Sequence, residues 1–98
     1  MDREELLDIL EENECLIAVG FNDALIGVYE SLETVAVYDS EVCIKILVDR
    51  DGMDFDEAMQ YFDFNVLGAF VGDKTPLFIT LAKKENNLKD ALKLINKN

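Results

Sequence analysis

The chain contains no histidine and no tryptophan. Without histidine it cannot run Ser-His-Asp or Cys-His catalysis, and no histidine-ligated zinc or iron site can form. It has two cysteines, Cys15 and Cys43, too few for a four-thiolate zinc site and without a CxxC spacing. Two free thiols in a reducing compartment are the expectation, with a single disulfide as the minority alternative. Long hydrophobic runs are also missing. No stretch of apolar residues and glycine is longer than the one from Cys15 to Phe21, which is far too short to cross a bilayer. The start, Met1-Asp2-Arg3-Glu4-Glu5, lacks the basic region of a signal peptide. A cytoplasmic setting, with no membrane partner, is expected.

Basic residues are the scarcest resource. Nine Lys and Arg stand against 21 Asp and Glu, a net charge of −12 over 98 residues. Phosphate contact needs cations, so direct binding of nucleic acid is disfavoured. The charge favours solubility and attraction to basic partners instead. It is also uneven. Residues 1–73 hold 19 acids and 3 bases, whereas residues 74–98 hold 2 acids and 6 bases. The C-terminal segment is positioned by its charge to pair with the acidic body in cis, or to form a basic helical tail.

The length suits one domain with one core. An acidic helix is expected over residues 3–19, with Leu6, Leu7, Leu10 and Ile17 as its apolar stripe and Gly20 as its cap, or with a break near Asn13, where the polar run Glu11-Glu12-Asn13-Glu14 interrupts the stripe. A turn at Phe21-Asn22-Asp23 follows. Runs 24–30 and 34–38 are rich in Val, Ile, Thr and Tyr and read as a β-hairpin, with Gly27 at a bulge or close contact. Asp39 and Ser40 are good N-caps for a helix to about Arg50, with Val42, Cys43, Ile46 and Leu47 on one face. Asp54 and Glu57 have capping-box spacing. A second helix is expected from there to about Val71, carrying Phe55, Met59, Phe62, Val66, Ala69 and Phe70 inward. Pro76 bars helix at Thr75 and opens a strand over 77–82. A last amphipathic helix, about Leu88 to Asn96, turns Leu88, Ala91, Leu92 and Ile95 inward. The order α-β-β-α-α-β-α defines an α+β domain with a three-stranded, mainly antiparallel sheet and packed helices. Within residues 1–98 this divides into an acidic helix (1–19), an α+β core (20–82) and a basic C-terminal helix (83–98). Tyr38 is expected to place its ring in the core and its hydroxyl at the edge.

Several strings carry a resemblance. Gly20-Phe21-Asn22-Asp23-Ala24-Leu25-Ile26-Gly27 and Ala36-Val37-Tyr38-Asp39 form its front half. Arg50-Asp51-Gly52-Met53, Glu57-Ala58, Tyr61-Phe62-Asp63-Phe64-Asn65, Gly68-Ala69, Gly72 and Thr75-Pro76-Leu77-Phe78 form its back half. Together they resemble a family of small uncharacterised phage and prophage proteins, over roughly residues 14 to 79. The resemblance implies a mobile-element origin and a bacterial cytoplasm. It implies no activity, because the family has none assigned, and nothing passes from it to single residues.

The residues themselves point away from an enzyme. With 21 acids some close carboxylate pair is unavoidable, so proximity carries no information. Gly68-Ala69-Phe70-Val71-Gly72 lacks the Lys and Ser/Thr of a phosphate loop. Ser31 and Ser40 have no base in sequence reach, and Cys43 lies on an apolar helix face. The cluster Asp49, Asp51, Asp54, Asp56 and Glu57, with Asp63 beyond, is the densest group of oxygen ligands. Its spacing fails the calcium loop, because Gly52 at loop position 6 puts Leu47 at position 1. Asp49, Asp51 and Asp54 are thus weak metal candidates, and no cofactor is expected.

Protein binding remains. Glu4, Glu5, Asp8, Glu11 and Glu12 line the first helix, with Glu14 just beyond. Such carboxylates can stand in for phosphates on a basic nucleic-acid-binding surface, as in an inhibitor of a host nucleic-acid-processing or defence protein. Tyr61, Phe64 and Asn65 fall off the inward stripe of their helix. They face either a second internal element, such as the N-terminal helix, or a partner. A homo-oligomeric assembly protein and a metal-binding module on the Asp49–Glu57 turn are the alternatives.

Overall fold

A computed structural model describes residues 1–70 and 72–82. Helix α1 (Arg3–Glu12) is followed by β1 (Leu25–Glu30), β2 (Thr34–Asp39), α2 (Ser40–Asp51), α3 (Phe55–Tyr61) and β3 (Leu77–Ile79). The α+β class and the three-stranded sheet match the sequence reading. The expected C-terminal helix at 88–96 lies outside the described residues.

The sheet order is β1-β2-β3. β1 and β2 form the longer, antiparallel pairing, while β3 adds to β2 in parallel, so the sheet is mixed. The register slips between Leu25 and Gly27, which makes Ile26 the extra residue of a bulge beside the glycine. β3 spans three residues rather than the expected 77–82. It places Phe78 opposite Tyr38. Phe78 stacks on Tyr38 at 5.3 Å, meets Phe62 edge-on at 5.4 Å and lies 6.2 Å from Phe70. This aromatic group joins the sheet to the helical layer, where Leu6, Leu10, Cys43, Leu47, Ala58, Phe62 and Val66 complete one core.

Helix α1 stops at Glu12 with Asn13 as its C-cap, at the break that the polar run allows and seven residues short of a continuous helix to Val19. The Asn13 side chain donates to the Ile9 carbonyl at 2.8 Å. Glu14 then adopts a left-handed backbone, φ 55°. The Glu14 N–H reaches the Glu11 carbonyl and the Cys15 N–H reaches the Leu10 carbonyl. That pair of bonds is the Schellman arrangement, which usually takes glycine where Glu14 stands. Residues 15–20 run on without helix, and Ile17 is exposed rather than inward.

Tyr38 corrects a second expectation. It is fully buried, hydroxyl included, and that oxygen accepts the Ala18 N–H at 2.9 Å. The non-helical stretch after α1 is thereby pinned to β2. Arg50 holds its far end. The guanidinium donates to the Gly20 carbonyl at 2.6 Å and lies over the Phe21 ring, 5.4 Å from its centre. Gly20, at φ 91°, is therefore a bend under Arg50 and not a helix cap.

The capping assignments hold. Asp39 caps α2, and Asp54 with Glu57 forms a complete capping box on α3. Helix α3 does not continue to 71. After Tyr61 the chain widens into a π-turn, Phe62–Val66, and then a 3₁₀ turn, Leu67–Ala69. The wider i→i+5 turn keeps Phe62 and Val66 buried but swings Ala69 outward. Phe55 and Met59, expected in the core, are 62% and 41% exposed. Ala58 takes the buried position between them.

Candidate functional site

Two surfaces stand out, one charged and one apolar. The charged one is α1. Its buried side is Leu6 and Leu10, with Leu7 and Ile9 half-buried beside them. At 3.6 residues per turn, Glu4, Glu5, Asp8, Glu11 and Glu12 share an arc of about 120° on the opposite side. All five are exposed. Asp2 and Glu5 cap the helix N-terminus reciprocally. Arg3 ties the same turn to the start of β1, donating to the carbonyls of Asp23 at 2.8 Å and Leu25 at 3.1 Å. The acidic face is thus carried on a helix fixed at both ends.

The described residues contain four bases, and each is engaged elsewhere. Arg3 binds those two carbonyls. Lys45 pairs with Asp49 at 2.8 Å, Arg50 with Asp51 at 2.9 Å, and Lys74 with Glu33 at 2.9 Å. These pairings raise the lysine and Arg50 pKa values and lower that of Asp51, in each case through the shared hydrogen bond first. Among the described residues no carboxylate of α1 has an ion-pair partner.

The weak metal candidates are dispersed by the same bonds. Asp49 faces Lys45, Asp51 takes both N–H arms of Arg50, and Asp54 accepts the Glu57 N–H. Among the described residues no group of three or more Asp, Glu or Cys is placed to hold a metal ion. Both thiols are free. Cys43 is fully buried, and burial, then the nearby Asp39 charge, pushes its pKa up to about 12. A thiol so raised is not a nucleophile at neutral pH. The Cys15 thiol donates to the Thr34 carbonyl at 2.9 Å.

Tyr61, Phe64 and Asn65 are all exposed. Phe64 sits in the π-turn and is 80% exposed, with Tyr61 and Leu67 exposed three residues to either side. Asn65 lines a shallow depression with Ile17, Val19 and Ala69. The apolar surface missed by sequence reasoning lies between α2 and α3. Ile44, Val48, Phe55 and Met59 line an open groove there, with Ser40, Glu41, Lys45, Asp49 and Thr80 at its margins. Its signal was the excess of apolar positions on α3: Phe55, Met59, Phe62 and Val66 cannot all reach one core across seven helical residues and a widened turn.

No family model, no curated protein and no solved structure matches this chain. Among the described residues no helix is long and apolar enough to cross a membrane.

Proposed function

We propose that this protein is a small acidic accessory protein of phage type that acts by binding another protein through the outer face of α1. The partner class is a protein with a basic, nucleic-acid-binding surface, which the carboxylates engage in place of phosphates. The observation that carries the reading is the arc of Glu4, Glu5, Asp8, Glu11 and Glu12, exposed and without an ion pair among the described residues. Attraction of this kind steers association and is screened by salt.

The test is capture from bacterial lysate on the immobilised chain at 50 mM and 500 mM NaCl, followed by duplex DNA competition. Support is a protein held only at low salt, displaced by DNA, and lost with the variant Glu4→Gln/Asp8→Asn/Glu11→Gln/Glu12→Gln. Capture that survives 500 mM salt or that variant would refute it.

A homo-oligomeric assembly role is the second reading. Phe64 favours it, as a large apolar side chain held 80% exposed between Tyr61 and Leu67. Sedimentation equilibrium of the wild type and Phe64→Ser separates the two. A dimer dissolved by Phe64→Ser and indifferent to salt would move the weight to assembly.

A further inference from the structure

The sheet has two faces, and one of them meets the core. Paired residues share a face and successive residues alternate. Val28, Ala36, Tyr38 and Phe78 therefore lie on one side, and all four belong to the core or pack against it. The other side carries Gly27, Tyr29, Val35, Val37, Leu77 and Ile79. An antiparallel pair with one face in water normally turns polar residues outward. Here the outward positions hold five apolar side chains and a glycine. Tyr29 is 53% exposed, Leu77 42% and Ile79 37%. Val35-Ala36-Val37-Tyr38 is apolar on both sides, the pattern of a strand covered twice.

Three observations bear on what covers the outer face. The first is charge. Two chains of net charge −12 repel, and they meet at least cost where carboxylates are absent or engaged. None of the six outward positions is charged. Asp39 ends the same face, but its carboxylate accepts the N–H groups of Glu41 and Val42. Glu33, in the hairpin turn, is paired with Lys74.

The second is shape. Gly27, Val37 and Leu77 form one row across the sheet, because Val37 pairs with both of the others. The row runs from notch to knob. A Cβ at Gly27 would meet nothing within 4 Å, and Leu77 is exposed at the opposite edge. A two-fold axis parallel to β2 reverses this row in a second copy. Leu77 of each copy then lies over Gly27 of the other, and Val37 faces Val37. An isologous contact requires a surface that complements itself in this way.

The third is area. β1 and β2 are six residues long. Three strands about 4.8 Å apart and about 20 Å long present at most about 290 Å². A standard stable interface takes about 800 Å² from each partner. The face therefore suits a weak dimer that forms at high concentration, not an obligate one.

We propose that the outer face of the sheet is a self-association surface, on which a second copy of this chain packs about a two-fold axis parallel to β2. The two sheets stack face to face, about 10 Å apart with strands within about 30° of each other. Tyr29, Val37, Leu77 and Ile79 form the buried layer. The inference rests on neither the α1 surface nor Phe64.

The test is sedimentation equilibrium of the full chain, from about 20 μM to about 1 mM, at 50 mM and 500 mM NaCl. The expected result is a monomer–dimer equilibrium whose association constant rises at least threefold with salt, because screening relieves the repulsion between two acidic chains. That is the opposite of the salt response expected for the α1 surface. Gly27→Val fills the notch at a position where the monomer has open space, and β-branched residues suit a strand. It leaves the circular dichroism and Tm of the monomer intact or improved and weakens association at least tenfold. Gly27→Val/Leu77→Ala exchanges knob and notch and recovers at least fivefold of that loss. Phe64→Ser leaves association unchanged. A monomer at 1 mM and 500 mM NaCl overturns the proposal. So does a dimer indifferent to Gly27→Val, or one that the double variant does not recover. A dimer dissolved by Phe64→Ser assigns association to the other surface and overturns this one.

Discussion

Tyr38→Phe isolates one hydrogen bond at the centre of the molecule. The ring is fully buried and stacks on Phe78 at 5.3 Å, and phenylalanine keeps that contact. The hydroxyl is lost, and with it the acceptor for the Ala18 N–H at 2.9 Å. Ala18 is only 3% exposed, so water cannot readily replace the bond. An unsatisfied buried donor costs about 1–3 kcal/mol. Deleting a buried hydroxyl returns part of this, and a net loss of about 1–2 kcal/mol is expected. For a domain of this size that lowers Tm by roughly 4–15 °C. With no tryptophan to report on unfolding, circular dichroism or calorimetry is the appropriate probe. Hydrogen exchange supplies the local readout. Amides of residues 15–20 should lose protection first, because Tyr38 is what pins them to β2, while α2 stays protected. A stability change below 0.5 kcal/mol, or uniform loss of protection across the chain, would refute the assignment of this bond as the anchor of the 15–20 stretch.

Four further substitutions or conditions probe separate features. Glu14→Gly relieves a left-handed backbone strain of about 1–2 kcal/mol, offset in part by glycine's unfolded-state entropy, and should raise Tm by a few degrees in calorimetry. Gly20→Ala should destabilise by about 1–2 kcal/mol in urea titration: φ is 91°, and the new Cβ would lie 3.3 Å from the Arg50 guanidinium. Phe62→Ala removes a 4% exposed ring packed edge-on to Phe78 and should cost about 3–5 kcal/mol by thermal denaturation. Alkali should unfold the protein through Cys43, whose pKa is raised from the ordinary 9.0 to about 12. Below pH 9 the thiol is protonated in both states. Above it the unfolded chain releases a proton that the folded chain retains, so stability falls by about 1.4 kcal/mol per pH unit up to about pH 12. Burial raises Tyr38 in the same direction. Cys43→Ala should flatten the pH 9–10 portion of a denaturation series.

The sequence was most legible where side chains act on their own backbone. Asp39, Asp54 and Glu57 announce helix starts, and Gly52 announces a helix end, because each supplies the bond or backbone angle that a terminus needs. The end of α1 showed only as a candidate break in the polar run Glu11–Glu14, for the opposite reason. Its left-handed position is filled by Glu14, and the apolar run from Cys15 to Val19 continues a helical-looking pattern. What holds that run is distant: the Tyr38 hydroxyl and the Arg50 guanidinium, 20 and 30 residues away in sequence. The widened turn at Phe62–Val66 was hidden, since Phe62 and Val66 at spacing four fit an α-helix and a π-turn alike. Parallel addition of β3 follows from the two intervening helices. They carry the chain back across the domain before Pro76, as parallel pairing requires of a connection.

The structure also divides the carboxylates by task, and that division sharpens the site. Asp2, Glu5, Asp39, Asp54 and Glu57 are bonded to backbone N–H groups at helix starts. Glu33, Asp49 and Asp51 are bonded to cations. Removing any of these changes stability as well as charge. Glu5 is the ambiguous member of the sequence-derived site, because it lies on the acidic arc and also completes the capping box of α1. Substituting it weakens the helix that displays the other four, at about 1 kcal/mol for a lost cap. A loss of binding on Glu5→Gln therefore says nothing about contact. Glu4, Asp8, Glu11 and Glu12 have no side-chain bond to any described residue. Neutralising those four reduces repulsion along the helix and leaves its caps intact. A binding defect in that variant, with unchanged or higher Tm, reports the surface itself.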